Sequence, residues 1–176
     1  MQRQMSVEEF RQLERSSLAQ KRCENKADQK AAAAARRARY RVATEPITVR
    51  LPLPVMLNQY YKVGRYGRRV AMRVSERGND YKALLVQIWE SKVKLTYGGR
   101  LAIRVKVTFP DARERDLDGH LKSLLDGLEL AGAYENDADI KLLIVEQEAV
   151  EAPGWVDVTL GPKPLDVQGT LFETEY

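Results

Sequence analysis

Two aspartates, Asp116 and Asp118, stand one residue apart in the segment PDARERDLD, just ahead of a leucine-rich stretch. In an extended segment, side chains two apart point the same way, so both carboxylates can converge on one cation. Asp118 is also placed to cap the helix that follows by accepting orphan amide bonds, a role that leaves Asp116 unexplained. Lys122 comes four residues after Asp118 and Asp126 four after that, so all three share one stripe beside the leucines. As helix support an Asp–Lys pair at this spacing is worth only ~0.2–0.5 kcal/mol. Next to a divalent metal and a phosphodiester, the same lysine would stabilise the charge that gathers in phosphoryl transfer, or protonate the leaving oxygen. The segment AYENDADI then puts Glu135, Asp137 and Asp139 in a loop before an apolar run, where they read either as a solvated turn or as further ligands. Acidic groups gathered at one sheet edge would form the hard-oxygen site that Mg²⁺ favours.

The remaining residue types exclude several other chemistries. With one His and one Cys in 176 residues, the chain can build neither a Cys/His zinc site nor an internal disulfide. Any Ser-His-Asp centre would have to recruit His120 alone. That histidine sits at a helix N-terminus, which disfavours its cationic form, so it reads as a surface or packing residue before a catalytic base. No apolar run approaches the ~18 residues of a membrane-spanning helix. The opening MQRQMSVEEFRQLERSS lacks the apolar block of a secretory signal, so the expected location is a reducing cytoplasm, in keeping with the lone Cys23.

Charge is segregated along the chain. Residues 1–45 carry 11 Lys/Arg against 6 Asp/Glu, residues 46–106 carry 13 against 3, and residues 107–176 carry 5 against 16, which leaves the net +4. A basic half recruits polyanions by counterion release, and clustered acids repel them unless a cation intervenes. The combination fits a metal-dependent enzyme acting on nucleic acid; equally, the two halves could pair with each other in the fold.

The elements that must position these residues follow from periodicity. Residues 1–45 form an extension: VEEFRQLERSSLAQKR has some helical spacing, and the Ala-rich run with Arg36, Arg37, Arg39 and Arg41 is either a solubilising helix or a phosphate-touching arm. Ile47, Val49, Leu51 and Leu53 alternate with polar residues and predict a strand. A basic hairpin or long loop follows, with turn positions at Gly64 and Gly67 among Arg65, Arg68, Arg69 and Arg73. Ser75 caps a predicted helix reaching about Lys94, with Tyr81, Leu84, Leu85 and Ile88 on its apolar stripe. Leu101, Ile103, Val105, Val107 and Phe109 face one side of the next strand; Arg104, Lys106 and Thr108 give the other side a basic character. The second helix carries Leu121, Leu124, Leu125 and Leu128 and ends at Gly132. IKLLIVEQEAV and WVDVTL, separated by EAPG, predict an antiparallel pair. The expected fold is therefore α/β (α+β), a mixed β-sheet packed with two main helices over residues 46–162, flanked by the extension and a tail at 163–176.

FPDARERDLDGHLKSLLDGLELAGAYENDADI resembles the core motif of the RusA-type Holliday-junction resolvases: an arginine-rich stretch, D-L-D, a lysine four residues on, a D-A-L-like helix, a glycine and an acidic turn before an apolar strand. LPLPVMLNQYY resembles that family's opening strand with its asparagine and tyrosines, and the resemblance spans about residues 46–160. It implies a homodimeric, Mg²⁺-dependent endodeoxyribonuclease making paired symmetric nicks in four-way DNA junctions during recombination and repair, in bacteria and their phages. Asp116, Asp118 and Asp137 match the family's metal-binding aspartates and Lys122 its catalytic lysine. Arg113 and Arg115 match part of the arginine stretch, interrupted by Glu114. Gly119, Asn136 and Val55-Met56-Leu57 depart from the usual pattern without removing a ligand. Arg65, Arg68, Arg69, Arg104 and Lys106 would then hold the DNA arms. The alternatives are another metal-dependent nuclease for branched DNA, or a non-catalytic DNA-binding protein whose aspartates only cap a helix.

Overall fold

The computed structural model describes residues 26–66 and 69–163. The helical periodicity expected in residues 7–22, Cys23 and the tail from residue 164 onward lie outside the described residues. Among them, helix α1 (Lys26–Arg39) is followed by strands β1 (Arg41–Val42) and β2 (Ile47–Pro52). A single turn, α2 (Leu57–Tyr60), opens the hairpin β3 (Tyr61–Tyr66) and β4 (Arg69–Val74). Helix α3 (Glu76–Ile88) runs on through a π turn at Trp89–Val93 into β5 (Leu95–Thr96). The long strand β6 (Leu101–Phe109) leads to helix α4 (Leu121–Ala131), and β7 (Ile140–Val150) and β8 (Trp155–Pro162) complete the order.

Four strands form a mixed sheet in the order β2-β8-β6-β7, with β6 and β7 parallel and the other neighbours antiparallel. The alternation of β2 and β6 faces Leu51, Leu101, Ile103, Val105, Val107 and Phe109 onto the core. There they meet Tyr81, Leu84, Leu85 and Ile88 of α3 and Leu124 and Leu128 of α4, the two stripes predicted from helical spacing. Ser75 caps α3 as expected, its Oγ accepting from the Gly78 amide at 3.1 Å. Gly132 closes α4 at φ 84°, a left-handed position that favours glycine.

Three expectations are corrected. β7 and β8 do not pair with each other, because β6 lies between them. β6 is buried along its inner face and at both ends, so it takes the centre, and the EAPG link crosses its end, with the Glu151 amide donating to Phe109 O at 2.7 Å. Gly64 is not a turn residue but pairs with Ala71 inside the hairpin. Asp118 does not cap α4: it opens a 3₁₀ turn, Asp118–His120, and no side-chain capping bond is made there.

The extension contributes structure of its own. Ala33 of α1 is buried, and Arg36 donates to Leu130 O at 3.1 Å, satisfying a carbonyl in the last turn of α4. β1 adds a parallel pairing to β5. No helix among the described residues is long and apolar enough to cross a membrane.

Candidate active site

Helix α4 supplies the axis of the site. After Gly132 the chain doubles back along it: the fully buried Tyr134 donates its hydroxyl to Leu125 O at 2.9 Å and to Asp137 Oδ1 at 3.2 Å. Asn136 shapes the turn, its Oδ1 accepting from the Ala138 amide at 2.9 Å. This fold-back sets Asp137 Oδ2 3.7 Å from Lys122 Nζ, across more than a turn of sequence that spacing alone could not join. On its other side Lys122 Nζ is 2.5 Å from Asp126 Oδ1. The Asp126 hydrogen bond, with the charges of Asp126 and Asp137 adding to it, raises the lysine above its ordinary value and keeps it cationic.

Asp126 is the hub, and its partners from other elements, Tyr60 and Lys82, were not foreseen. Tyr60, fully buried at the end of α2, donates its hydroxyl to Asp126 Oδ2 at 2.7 Å. Burial first, and then this bond, push the phenol far above its usual range, so it stays a donor. Lys82, only 8% exposed, lies on α3 near the same carboxylate. Burial pulls its ammonium down, Asp126 opposes the shift and Lys122 reinforces it. The i, i+4 spacing of Lys122 and Asp126 was visible in the sequence; the contact with a tyrosine 66 residues away had no local signal.

Asp116 and Asp118 lie at the other end of α4, after the C-terminal end of β6. Both are exposed, and among the described residues neither carboxylate has a hydrogen-bond or ion-pair partner. The segment between them is not extended, since Leu117 adopts helical φ/ψ angles of −61° and −39°, so the strand argument for their convergence does not hold. Open carboxylate oxygens fit a hard divalent cation in type. Asp137, by contrast, is engaged by Lys122 and Tyr134, and among the described residues no three His, Cys, Asp or Glu side chains form a group that could hold a metal ion.

His120 is a packing residue. It is 3% exposed, donates from Nδ1 to Pro54 O at 2.7 Å, and its Nε2 has no partner among the described residues. Burial, foremost, lowers it from its ordinary value and keeps the ring neutral.

The arginines divide by what already holds them. Arg115 is largely buried, bonded to Asp111 Oδ1 at 2.7 Å and to the carbonyls of Asp111 and Arg113, and it lies over the Phe109 ring. It fixes the loop that carries Asp116. The Arg113 side chain is 83% exposed, its one ion-pair contact among the described residues being Asp111 at 3.8 Å, and it points its charge to solvent. Arg104 forks onto Glu146 at 2.8 and 3.1 Å, and Lys106 reaches Glu148 at 3.0 Å. The outer face of the sheet is therefore paired rather than simply basic, and Arg50 adds a two-point bond to Asp157 at 2.8 Å. Arg68 lies outside the described residues, and Arg65 and Arg69 are described in their backbone alone.

No protein-family model matches the chain. Over 108 residues it is 37% identical to the crossover junction endodeoxyribonuclease RusA of Enterobacteria phage HK97, covering 59% of this chain and 83% of that protein. The RusA proteins of Escherichia coli strain K12 and Enterobacteria phage 82 are each 30% identical, over 115 and 113 residues, which is 92% and 91% of their own lengths. Relatives covered this fully, together with the D-L-D, lysine and acidic-turn elements set around one helix, place the chain in the RusA family of crossover junction endodeoxyribonucleases.

Proposed function

We propose that this chain resolves four-way DNA junctions by paired symmetric nicks, as a Mg²⁺-dependent homodimer serving recombination and repair in the cytoplasm of a bacterial or phage-infected cell. The observation that carries the reading is Lys122: an ammonium held between Asp126 and Asp137, one helical turn beyond two open carboxylates. A lysine kept protonated at neutral pH is suited to stabilise negative charge on a phosphodiester in the transition state, more than to give up its proton. Asp116 and Asp118 would hold the metal ion, with Asp137 joining them only by leaving Lys122 and Tyr134; when bound, the ion would lower the pKa of a water and neutralise charge on the leaving oxygen.

The protein's own residues bind and position the strand. Arg113 offers a phosphate contact beside Asp116, and the hairpin arginines Arg65, Arg68 and Arg69 extend the basic track. Arg104 and Lys106 contribute to DNA binding by exchanging Glu146 and Glu148 for phosphate, which makes their contribution smaller than that of a free cation. A four-way junction has approximate two-fold symmetry, and a two-fold dimer would present one site to each of two opposed strands.

The test is incubation of wild type and Asp118→Asn with a synthetic four-way junction, in Mg²⁺ and in EDTA, with product strands mapped on a denaturing gel. Symmetric nicks from wild type in Mg²⁺ alone are expected. A junction that is bound but intact in both conditions would overturn the proposal in favour of a binding protein.

A further inference from the structure

We propose that the β3–β4 hairpin is a two-faced ribbon whose apolar face, made by Val63, Val70 and Met72, packs against unstacked bases at the branch point of the DNA. The inference rests on the junction-cleaving reading above and adds to it a residue set that would select branched over continuous duplex. In the hairpin register Val63 pairs with Met72, and Val70 with Arg65, so the three apolar side chains share one face of the ribbon. Lys62 pairs with Arg73 and Gly64 with Ala71 on the opposite face. Val63, Val70 and Met72 are 72%, 65% and 69% exposed, three of the most exposed large apolar residues described. A two-stranded ribbon is marginal in water by itself, and an aliphatic face of this kind marks a surface meant to be covered.

Charge and position decide what covers it. From Tyr61 to Ser75 the sequence holds five Lys/Arg and no Asp/Glu, so a second copy of the ribbon would be repelled and a polyanion attracted. The ribbon also begins at the site: the Tyr61 ring lies 4.8 Å from that of Tyr60, whose hydroxyl is bonded to Asp126, the partner of Lys122. Its six-residue strands reach roughly 20 Å from there. Aliphatic side chains have no donors with which to read base edges. In a continuous duplex the apolar base faces are hidden against each other; at a branch or kink they are exposed, and Met and similar side chains wedge against them.

The experiment uses full-length protein in EDTA, so that strands stay intact, with four-way junctions carrying 2-aminopurine at the branch or within an arm. Its fluorescence rises when the base leaves the stack. Wild type is compared with the double variant Val63→Thr and Met72→Ser, whose fold is checked by circular dichroism and whose assembly is checked by sedimentation. Wild type is expected to raise the branch signal several-fold and to leave the arm signal unchanged. The double variant should lose that rise and bind the junction about tenfold more weakly, with unchanged affinity for duplex. Tight junction binding by wild type without a branch signal, or a signal kept by the double variant, would overturn the ribbon's role alone. A double variant that sediments as a smaller species than wild type would assign the face to a second copy instead and overturn it too. Failure of wild type to prefer the junction over duplex would remove the junction-cleaving reading itself.

Discussion

Replacing Tyr60 with Phe tests whether Asp126 is the hub that holds Lys122. The substitution keeps the ring, fully buried at the end of α2, and deletes only the hydroxyl that bonds Asp126 Oδ2 at 2.7 Å. A hydrogen bond to a charged group contributes about 1.5–3 kcal/mol, and Phe removes the hydroxyl that donates to Asp126 Oδ2. We expect Tyr60→Phe to cost about 2 kcal/mol in urea unfolding, and to lower the melting midpoint by roughly 4–8 °C for a chain of this size. Because the same carboxylate anchors Lys122, Asp126→Asn should remove most of the effect when the two changes are combined, giving a coupling of about 1–2 kcal/mol in a double-mutant cycle. In cleavage assays Tyr60→Phe should slow the rate several-fold at unchanged junction affinity, since Tyr60 acts through Asp126 and does not touch DNA. A cost below ~0.5 kcal/mol with additive double-mutant energetics would refute the hub.

Three further outcomes follow from the same packing. Gly127→Ala would place a Cβ 2.5 Å from Leu85 Cδ1, a side chain with no room to swing, so the overpacking of about 1–3 kcal/mol should outweigh the ~1 kcal/mol gain in helix propensity; combined with Leu85→Ala, which makes room for that Cβ, the two costs should come to less than their sum in thermal melts. Glu129 is raised from its ordinary value first by burial and then by Asp137 and Asp126, so its charged form is disfavoured by folding. At pH 7 that costs stability, and the cost disappears as pH falls below the unfolded value of 4.5, so Glu129→Gln should raise the urea midpoint at pH 7 and leave it unchanged in acid. Arg113→Ala should weaken junction binding and reduce the slope of log affinity against log salt by about 1, measured by anisotropy; an unchanged slope would show that Arg113 meets no phosphate.

What was legible in the sequence was whatever repeats locally. The leucine stripe of α4, the alternation of β6 and the Ser75 cap each depend on residues within a turn or two of one another, and all three were placed correctly. The partner of each strand was not legible, because pairing is decided by burial of the whole sheet: β6 displaced β7 from β8 by being the strand most fully apolar on its inner face. The site shows the same division. Lys122 and Asp126 announced themselves by spacing, whereas Tyr60 and Lys82 reach the cluster from other elements, and Asp137 arrives only because Tyr134 folds its loop back along the helix.

The charge segregation resolves in the same terms. Much of the apparent conflict between a basic middle and an acidic C-terminal half is settled on the outer face of the sheet, where Arg50, Arg104 and Lys106 meet Asp157, Glu146 and Glu148 across neighbouring strands. Such pairs are half-exposed or less and contribute little net stability, but they remove those charges from any long-range field. What the pairing leaves behind is local: a ribbon with no acidic residue on one side of the lysine cluster, and a loop with two aspartates whose carboxylates have no partner among the described residues, at the head of α4. A polyanion drawn to the first would be carried toward the second, where a bound cation would make its approach favourable, so under the proposed reading the basic and acidic halves would act in sequence on one strand.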